Sequence, residues 1–281
     1  MASVIIELAP FMIALVITGV ISGFVAGLLG VGGGIVIVPI LSYLLVAADI
    51  HSATPMHVAI ASSLAVIVPT SMISAWTHFK LGNIDKSVIV KMAPSIFIGA
   101  SGGAIVADYL DNSSLKVAFG MMAVMVAFVF FSKPLIVRDG LPSFASRGVL
   151  GFFIGQISAL LGIGGGSLMV PFLVACHFDM RKAVGTSSLI GLVIAVPGVI
   201  SFMVVGQGAV SDLPYAIGYV WLPAFVIIAG AAYLTAPIGA RFVAKLDKDL
   251  LRKIFGLFLL IVGGRLVYSG IMAGGLAFIT G

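Results

Sequence analysis

Hydrophobicity along this chain comes in long blocks rather than in alternation. Ten apolar segments are legible, at 9–29, 34–48, 57–79, 88–108, 114–132, 147–162, 166–178, 183–206, 217–240 and 253–275. Blocks of about twenty apolar residues have the length a helix needs to cross a hydrocarbon core of about 30 Å. No run of ten-residue alternation suggests a membrane barrel, so the blocks predict helices. Segments 34–48 and 166–178 are short for a crossing, and each follows a glycine run directly. Each is expected to be either a half-helix that turns back or a steep short span.

Composition turns this pattern into a class. Of the 281 residues, 61% are hydrophobic and 9% charged, and the mean hydropathy is +1.26. A soluble domain carries roughly 25% charged residues, so the chain reads as an integral membrane protein in contact with the lipid bilayer. Cys176 is the single cysteine, which excludes an internal disulfide. Met1 to Ile21 holds no Lys or Arg, so the basic stretch of a cleaved signal peptide is missing.

The net charge of +5 points to topology rather than to nucleic acid. The loop with Arg241, Lys245, Lys248, Arg252 and Lys253 is expected on the cytoplasmic side. Counting spans back from it, the Arg181-Lys182 turn, the linker with Lys133, Arg138 and Arg147, and the loop with Lys80, Lys86 and Lys91 all fall on that side. Asp212, the turn with Asp108 and Asp111, and the loop with Asp49 and His51 fall outside. Lys116 and Arg265 are the exceptions. Both termini come out non-cytoplasmic, in a multi-pass protein of the inner (plasma) membrane.

One phrase occurs twice. Leu28-Leu29-Gly30-Val31-Gly32-Gly33-Gly34-Ile35-Val36-Ile37-Val38-Pro39 returns as Leu160-Leu161-Gly162-Ile163-Gly164-Gly165-Gly166-Ser167-Leu168-Met169-Val170-Pro171, with eight of twelve positions identical. Ala61-Ser62-Ser63-Leu64 resembles Thr186-Ser187-Ser188-Leu189, and Gly103-Ala104 with Phe119-Gly120 resembles Gly239-Ala240 with Phe255-Gly256. The polar stretch 132–147 joins two repeats, 1–135 and 136–281. Loop charges give the halves opposite orientations, an inverted-topology repeat of the kind found in secondary transporters.

The doubled phrase is also the candidate binding site. A chain that breaks its helix in lipid must satisfy the freed backbone groups, and such breaks are tolerated where they line a polar cavity. Gly30, Gly32, Gly33 and Gly34, with Gly162, Gly164, Gly165 and Gly166, allow a close approach to a ligand, and each run opens a helix whose first N–H groups lack partners. Two positive helix ends facing one pocket favour a small anion. Ser62, Ser63, Ser167, Thr186, Ser187 and Ser188 add neutral hydroxyl donors inside apolar segments, and Gln156 adds an amide where the first half has Phe24. Those hydroxyls could equally bond a carbonyl one turn back. A nucleotide loop is excluded, since the phrase lacks its lysine.

Other chemistry is sparse. His51, His57, His78 and His177 read as interfacial residues rather than metal ligands, because no pair has the spacing of a helical metal site. Arg265 reads as a snorkelling side chain. Pro39, Pro69, Pro171 and Pro197 are expected to kink or shorten helices. No carboxylate lies deep in an apolar segment, which disfavours a buried carboxylate proton relay.

The two glycine phrases, the paired Ser/Thr-Ser-Leu motifs and Gly82-Asn83-Ile84-Asp85 resemble the TauE/SafE family over about residues 10–270. The second half has only Gly206-Gln207-Gly208 in place of Gly-Asn-Ile-Asp. The resemblance implies a duplicated membrane domain that exports small sulfur oxyanions or sulfonates. The expectation is therefore an all-α polytopic membrane protein of two inverted repeats and about ten membrane segments. Its expected function is that of a secondary transporter exporting sulfite or an organosulfonate by alternating access. No cofactor, metal, nucleic acid or catalytic residue is called for. An anion channel and, further off, a membrane-embedded Ser–His enzyme are the alternatives. The sequence leaves the oligomeric state open, a homodimer included.

Overall fold

A computed structural model describes residues 2–29, 32–50, 53–132, 137–242 and 248–279. Gly30, His51, Lys133 and Lys245 lie outside the described residues. The described chain forms α1 (Ala2–Leu29), α2 (Gly34–Ala47), α3 (Pro55–Lys80), α4 (Lys86–Asp108) and α5 (Asn112–Phe131). It continues with α6 (Phe144–Leu160), α7 (Gly166–Ala175), α8 (Met180–Val205), a hairpin of β1 (Ala216–Ile217) and β2 (Val220–Trp221), α9 (Leu222–Phe242) and α10 (Lys248–Ile279). Every apolar block of the sequence holds one helix. Seven helices are long and apolar enough to cross a membrane. The shorter ones are α2 with 14 residues, α6 with 17 and α7 with 10. At 1.5 Å per residue α7 covers roughly 15 Å, half a hydrocarbon core.

The boundaries follow local chemistry. Asp85 accepts N–H bonds from Ser87 and Val88 at the start of α4, and Asp111, Ser143 and Asp179 cap α5, α6 and α8 in the same way. The sequence expectation of a segment beginning at 217 differs from the structure. Residues 216–221 form the antiparallel hairpin instead, paired Ala216 with Trp221 and Ile217 with Val220, and α9 starts only at Leu222. Tyr215 and Gly218 both hold positive φ there, so an apolar composition is overridden by turn geometry.

Helices approach through small residues, as packing in lipid requires. α1 lies on α9, where a Cβ on Gly19 would stand 2.6 Å from the Ile228 carbonyl. α6 lies on α4, where a Cβ on Gly103 would stand 2.7 Å from the Gln156 carbonyl. α5 and α10 cross at Gly120 and Gly263. α3 packs on α8 in the centre, α3 also on α9 and α4 on α8, and the short helices sit on α3 (for α2) and α8 (for α7). Replacing each helix by the one five further on exchanges α1–α9 with α6–α4, α3–α9 with α8–α4 and α2–α3 with α7–α8, and leaves α3–α8 and α5–α10 unchanged. Large apolar side chains such as Ile17, Phe128, Phe153, Val226 and Ile261 remain exposed on the outer surface, the side that lipid covers.

Candidate functional site

The two glycine phrases break the chain by different backbone routes. In the first, Gly32 and Gly33 have φ of 81° and 73°. A side chain would strain both positions. The Gly33 carbonyl accepts from Val36 and Ile37, which opens α2. In the second, Gly162 has φ 67° and ends α6. Ile163 N–H bonds the Ser158 carbonyl at 2.9 Å and Gly162 N–H bonds the Ala159 carbonyl at 3.2 Å. That pair of bonds is a Schellman stop. Gly165, before α7, has an ordinary φ of −53°. Neither α2 nor α7 receives a side-chain cap, unlike α4, α5, α6 and α8. Their first N–H groups therefore carry the positive end of the helix dipole without a side-chain acceptor.

The phrases meet at the α3–α8 crossing. A Cβ on Gly32 would stand 2.9 Å from the Gly164 Cα. Beside this contact lies a cleft lined by Gly32, Gly165, Gly166, Ser187, Ser188 and Gly191, with Thr70, Ser71 and Ser74 from α3 and small residues of α1 and α9. Ser187 is fully buried, and its hydroxyl has no hydrogen-bond partner among the described residues. The Ser71 hydroxyl stands 2.8 Å from where a Cβ on Gly191 would lie. No ionisable side chain lines the cleft. It is narrow, with room for roughly one water. Neutral hydroxyls and amides without a competing charge suit a small anion better than a cation.

The remaining candidates of the sequence divide around this cleft. Ser63 donates to the Gly162 carbonyl at 2.9 Å, and the start of α2 at Gly34 is pressed against the same carbonyl, Ser63 and Ile67. Ser62 accepts the Trp221 N–H at 3.0 Å, and Thr186 accepts the Asp85 N–H at 2.9 Å. Both hydroxyls thus hold the residue that precedes a helix, α9 and α4 respectively. Ser188 bonds back to the Gly185 carbonyl. Ser167 is buried, with its hydroxyl unpartnered among the described residues, but does not line the cleft. Gln156 lies where α6 crosses α4 and is not part of the lining. Arg265 stacks over Tyr43 at 5.2 Å, away from the cleft.

The sequence reading passed over Ser71, Ser74 and Gly191. Their signal was present: Ser71, Ser74 and Thr77 recur at the spacing of one helix face. It was masked because the comparison of halves drew attention to Ser62 and Ser63 two turns earlier.

The opposite end of α3 is closed by a polar cluster. His57 is buried, its Nε2 lies 3.0 Å from the Ala107 carbonyl, and its ring stacks on Tyr219 at 5.0 Å. The Tyr219 hydroxyl donates to Asp108 at 2.8 Å. Burial, reinforced by Asp108, pushes the Tyr219 phenol up to about 12. Asp111, at the head of α5, is held below the usual carboxylate range chiefly by its bond with the Ser114 side chain. Among the described residues, no group of three or more His, Cys, Asp or Glu gathers as a metal site would require.

Comparison with known proteins places these features in a lineage. The family described as "Sulfite exporter TauE/SafE" matches residues 15–266. A "Probable membrane transporter protein" of Haemophilus influenzae is 35% identical over 255 residues, covering 90% of this chain and 96% of its own length. The "Probable membrane transporter protein YunE" of Bacillus subtilis is 31% identical, covering 93% of this chain and 99% of its own. A relative from Methanocaldococcus jannaschii, "Probable membrane transporter protein MJ0441", is 29% identical over 88% of this chain and 94% of its own. No solved structure matches.

Proposed function

We propose that this chain, which belongs to the TauE/SafE family of membrane transporters, exports a small anion, sulfite or an organosulfonate, through the cleft where its two glycine phrases meet. The observation that carries the reading is the buried Ser187 hydroxyl, without a partner among the described residues, beside the uncapped start of α7, in a lining without any charge of its own. An anion there would accept from Ser187, Ser71 and the first amides of α7, with Gly32, Gly164, Gly165 and Gly166 admitting it close to the backbone. Gly33, Gly34, Gly162, Ser62, Ser63 and Thr186 shape the breaks, and Ser167 and Gln156 stand behind them.

The same reading makes residues 1–135 and 136–281 inverted repeats of one inner-membrane protein, with the Lys80 end of α3 cytoplasmic and both termini outside. The exchange of helix pairs supports it, and so do the loop charges. Alternating access then means opening one side of the glycine contact while closing the other. The channel alternative is set against the narrowness of the cleft, and the relatives' names as transporters weigh against the enzyme alternative.

A thermal-shift series on the purified protein with sulfite, thiosulfate, sulfoacetate and taurine tests the reading. A ligand that binds only the folded state raises the melting temperature. One or more of these anions is expected to do so, with the rise lost in Ser187→Ala. A rise with ammonium compounds and none with the anions would overturn it.

A further inference from the structure

The central cleft does not end at Ser74. A second groove, between α1, α3 and α9, shares Gly27, Ser74 and Ala236 with it and continues along α3 past Ile73, Thr77 and His78. We propose that this groove is the access path of the anion from the Lys80 end, with Ser74 and His78 as its first contacts. The proposal rests on the central cleft being the binding site.

Three observations carry it. The first is continuity: Ser71, Ser74 and Thr77 follow one another at single helix turns, so one face of α3 presents hydroxyls from the cleft to the helix end. Ser71 and Ser74 make no hydrogen bond among the described residues, whereas Thr77 bonds back to Ile73. The second is the state of His78. The Asn83 amide nitrogen lies 3.4 Å from its Nδ1, which as acceptor leaves Nε2–H as a free donor. Asn83 is itself fixed against Gly185 of α8, and Asp85 N–H is tied to Thr186. The Gly82–Asp85 turn therefore anchors the mouth of the groove rather than binding the anion. The third is charge. Lys80 stacks over Trp76 at 5.1 Å and Lys86 lies 6.0 Å from the Phe79 ring, so both cations stay at this end of α3. The Asp85 carboxylate is engaged by Ser87 and Val88 N–H at the head of α4. Two cations held at this end of the helix raise the local concentration of anions where the groove ends.

The single cysteine allows a direct test. In a Cys176→Ser background, Ser74→Cys and Thr77→Cys are placed in the groove, Met72→Cys on the exposed surface of the same helix, and Ser63→Cys at the closed contact. Sealed vesicles of each orientation are treated with two membrane-impermeant methanethiosulfonates, one bearing a sulfonate and one a trimethylammonium. The groove cysteines are expected to react from the Lys80 face alone, the sulfonate about tenfold faster than the ammonium. That ratio should narrow in His78→Ala, with Met72→Cys and Ser63→Cys unreactive. Reaction from the opposite face, no reaction, or equal rates for the two reagents would overturn the path. The binding-site reading is read separately, by the Ser187→Ala thermal shift. A lost shift with unreactive groove cysteines sinks the path alone, and a retained shift sinks the site alone.

Discussion

Two corresponding places in the molecule are packed differently, and the difference leaves a cleft at one of them and none at the other. Around the start of α2, Ser63 is bonded to the Gly162 carbonyl and the Ile67 side chain fills the space beside Gly34. Around the start of α7, Ser187 has no hydrogen-bond partner among the described residues and Gly191 stands where α3 has Ile67. The correspondence is fixed by hydrogen bonds. Ser62 holds the residue before α9 as Thr186 holds the residue before α4, so Ser63 answers to Ser187 and Ile67 to Gly191. One place is sealed by a branched side chain and a satisfied hydroxyl. The other keeps a cleft, where Gly191 has no side chain and the Ser187 hydroxyl has no partner among the described residues. A transporter that alternates needs two such states to be close in energy, and one side chain of difference is enough to favour one of them.

The largest test of that contrast transplants the seal. Gly191→Ile should fill the cleft between Ser71 and Ser187, removing any anion-dependent rise in melting temperature and abolishing transport in proteoliposomes. The space is small, so the milder Gly191→Ala, whose Cβ would press only on the movable Ser71 hydroxyl, is the form of this test expected to keep the fold. The reverse change, Ile67→Ala, should open the sealed side. Thermal unfolding should show a loss of about 2–5 kcal/mol for the cavity, and flux assays an anion leak not coupled to exchange.

Single hydroxyls give a finer test. Ser187→Ala should weaken anion binding about tenfold, the worth of one hydrogen bond to a charged group, with no loss of stability, since the hydroxyl has no partner among the described residues. Ser63→Ala should do the opposite, costing about 1 kcal/mol of stability and leaving affinity unchanged. Calorimetric titration beside thermal unfolding would separate the two, and equal behaviour of both variants would erase the contrast.

The smallest effect concerns the hairpin behind the sealed side. Tyr219 ionises near 12 in the folded protein and about 10 when unfolded. Between those values the unfolded chain binds fewer protons than the folded one, so stability falls as pH rises from about 10 and levels off above 12. Tyr219→Phe should flatten that decline in a melting curve series, and an unchanged slope would remove Tyr219 from the seal.

The helices were legible because lipid imposes a simple rule: a segment that satisfies its own backbone and presents apolar side chains reads the same in sequence and in space. The hairpin at 216–221 was not, since Tyr215 and Gly218 adopt turn conformations that hydropathy does not register. The glycine phrases were recognisable as breaks, and their contact at Gly32 and Gly164 follows from the paired pattern. The serine motifs misled by one residue. Sequence similarity aligns Ser62 with Ser187, whereas the hydrogen bonds align Ser63 with Ser187, and one residue on a helix is a rotation of about 100°.

By itself the sequence determined the membrane class, the ten helices, the two breaks and the uncharged hydroxyls around them. These depend on composition and local backbone geometry, which each segment carries within itself. Only the tertiary structure decided which hydroxyls are free. Ser62, Ser63 and Thr186 find partners in distant segments, the strand β2, the turn after α6 and the turn before α4, while Ser187 and Ser71 border open space. A hydroxyl's availability is set by what packs against it, and that information lies in the crossing of α3 and α8 rather than in either helix alone.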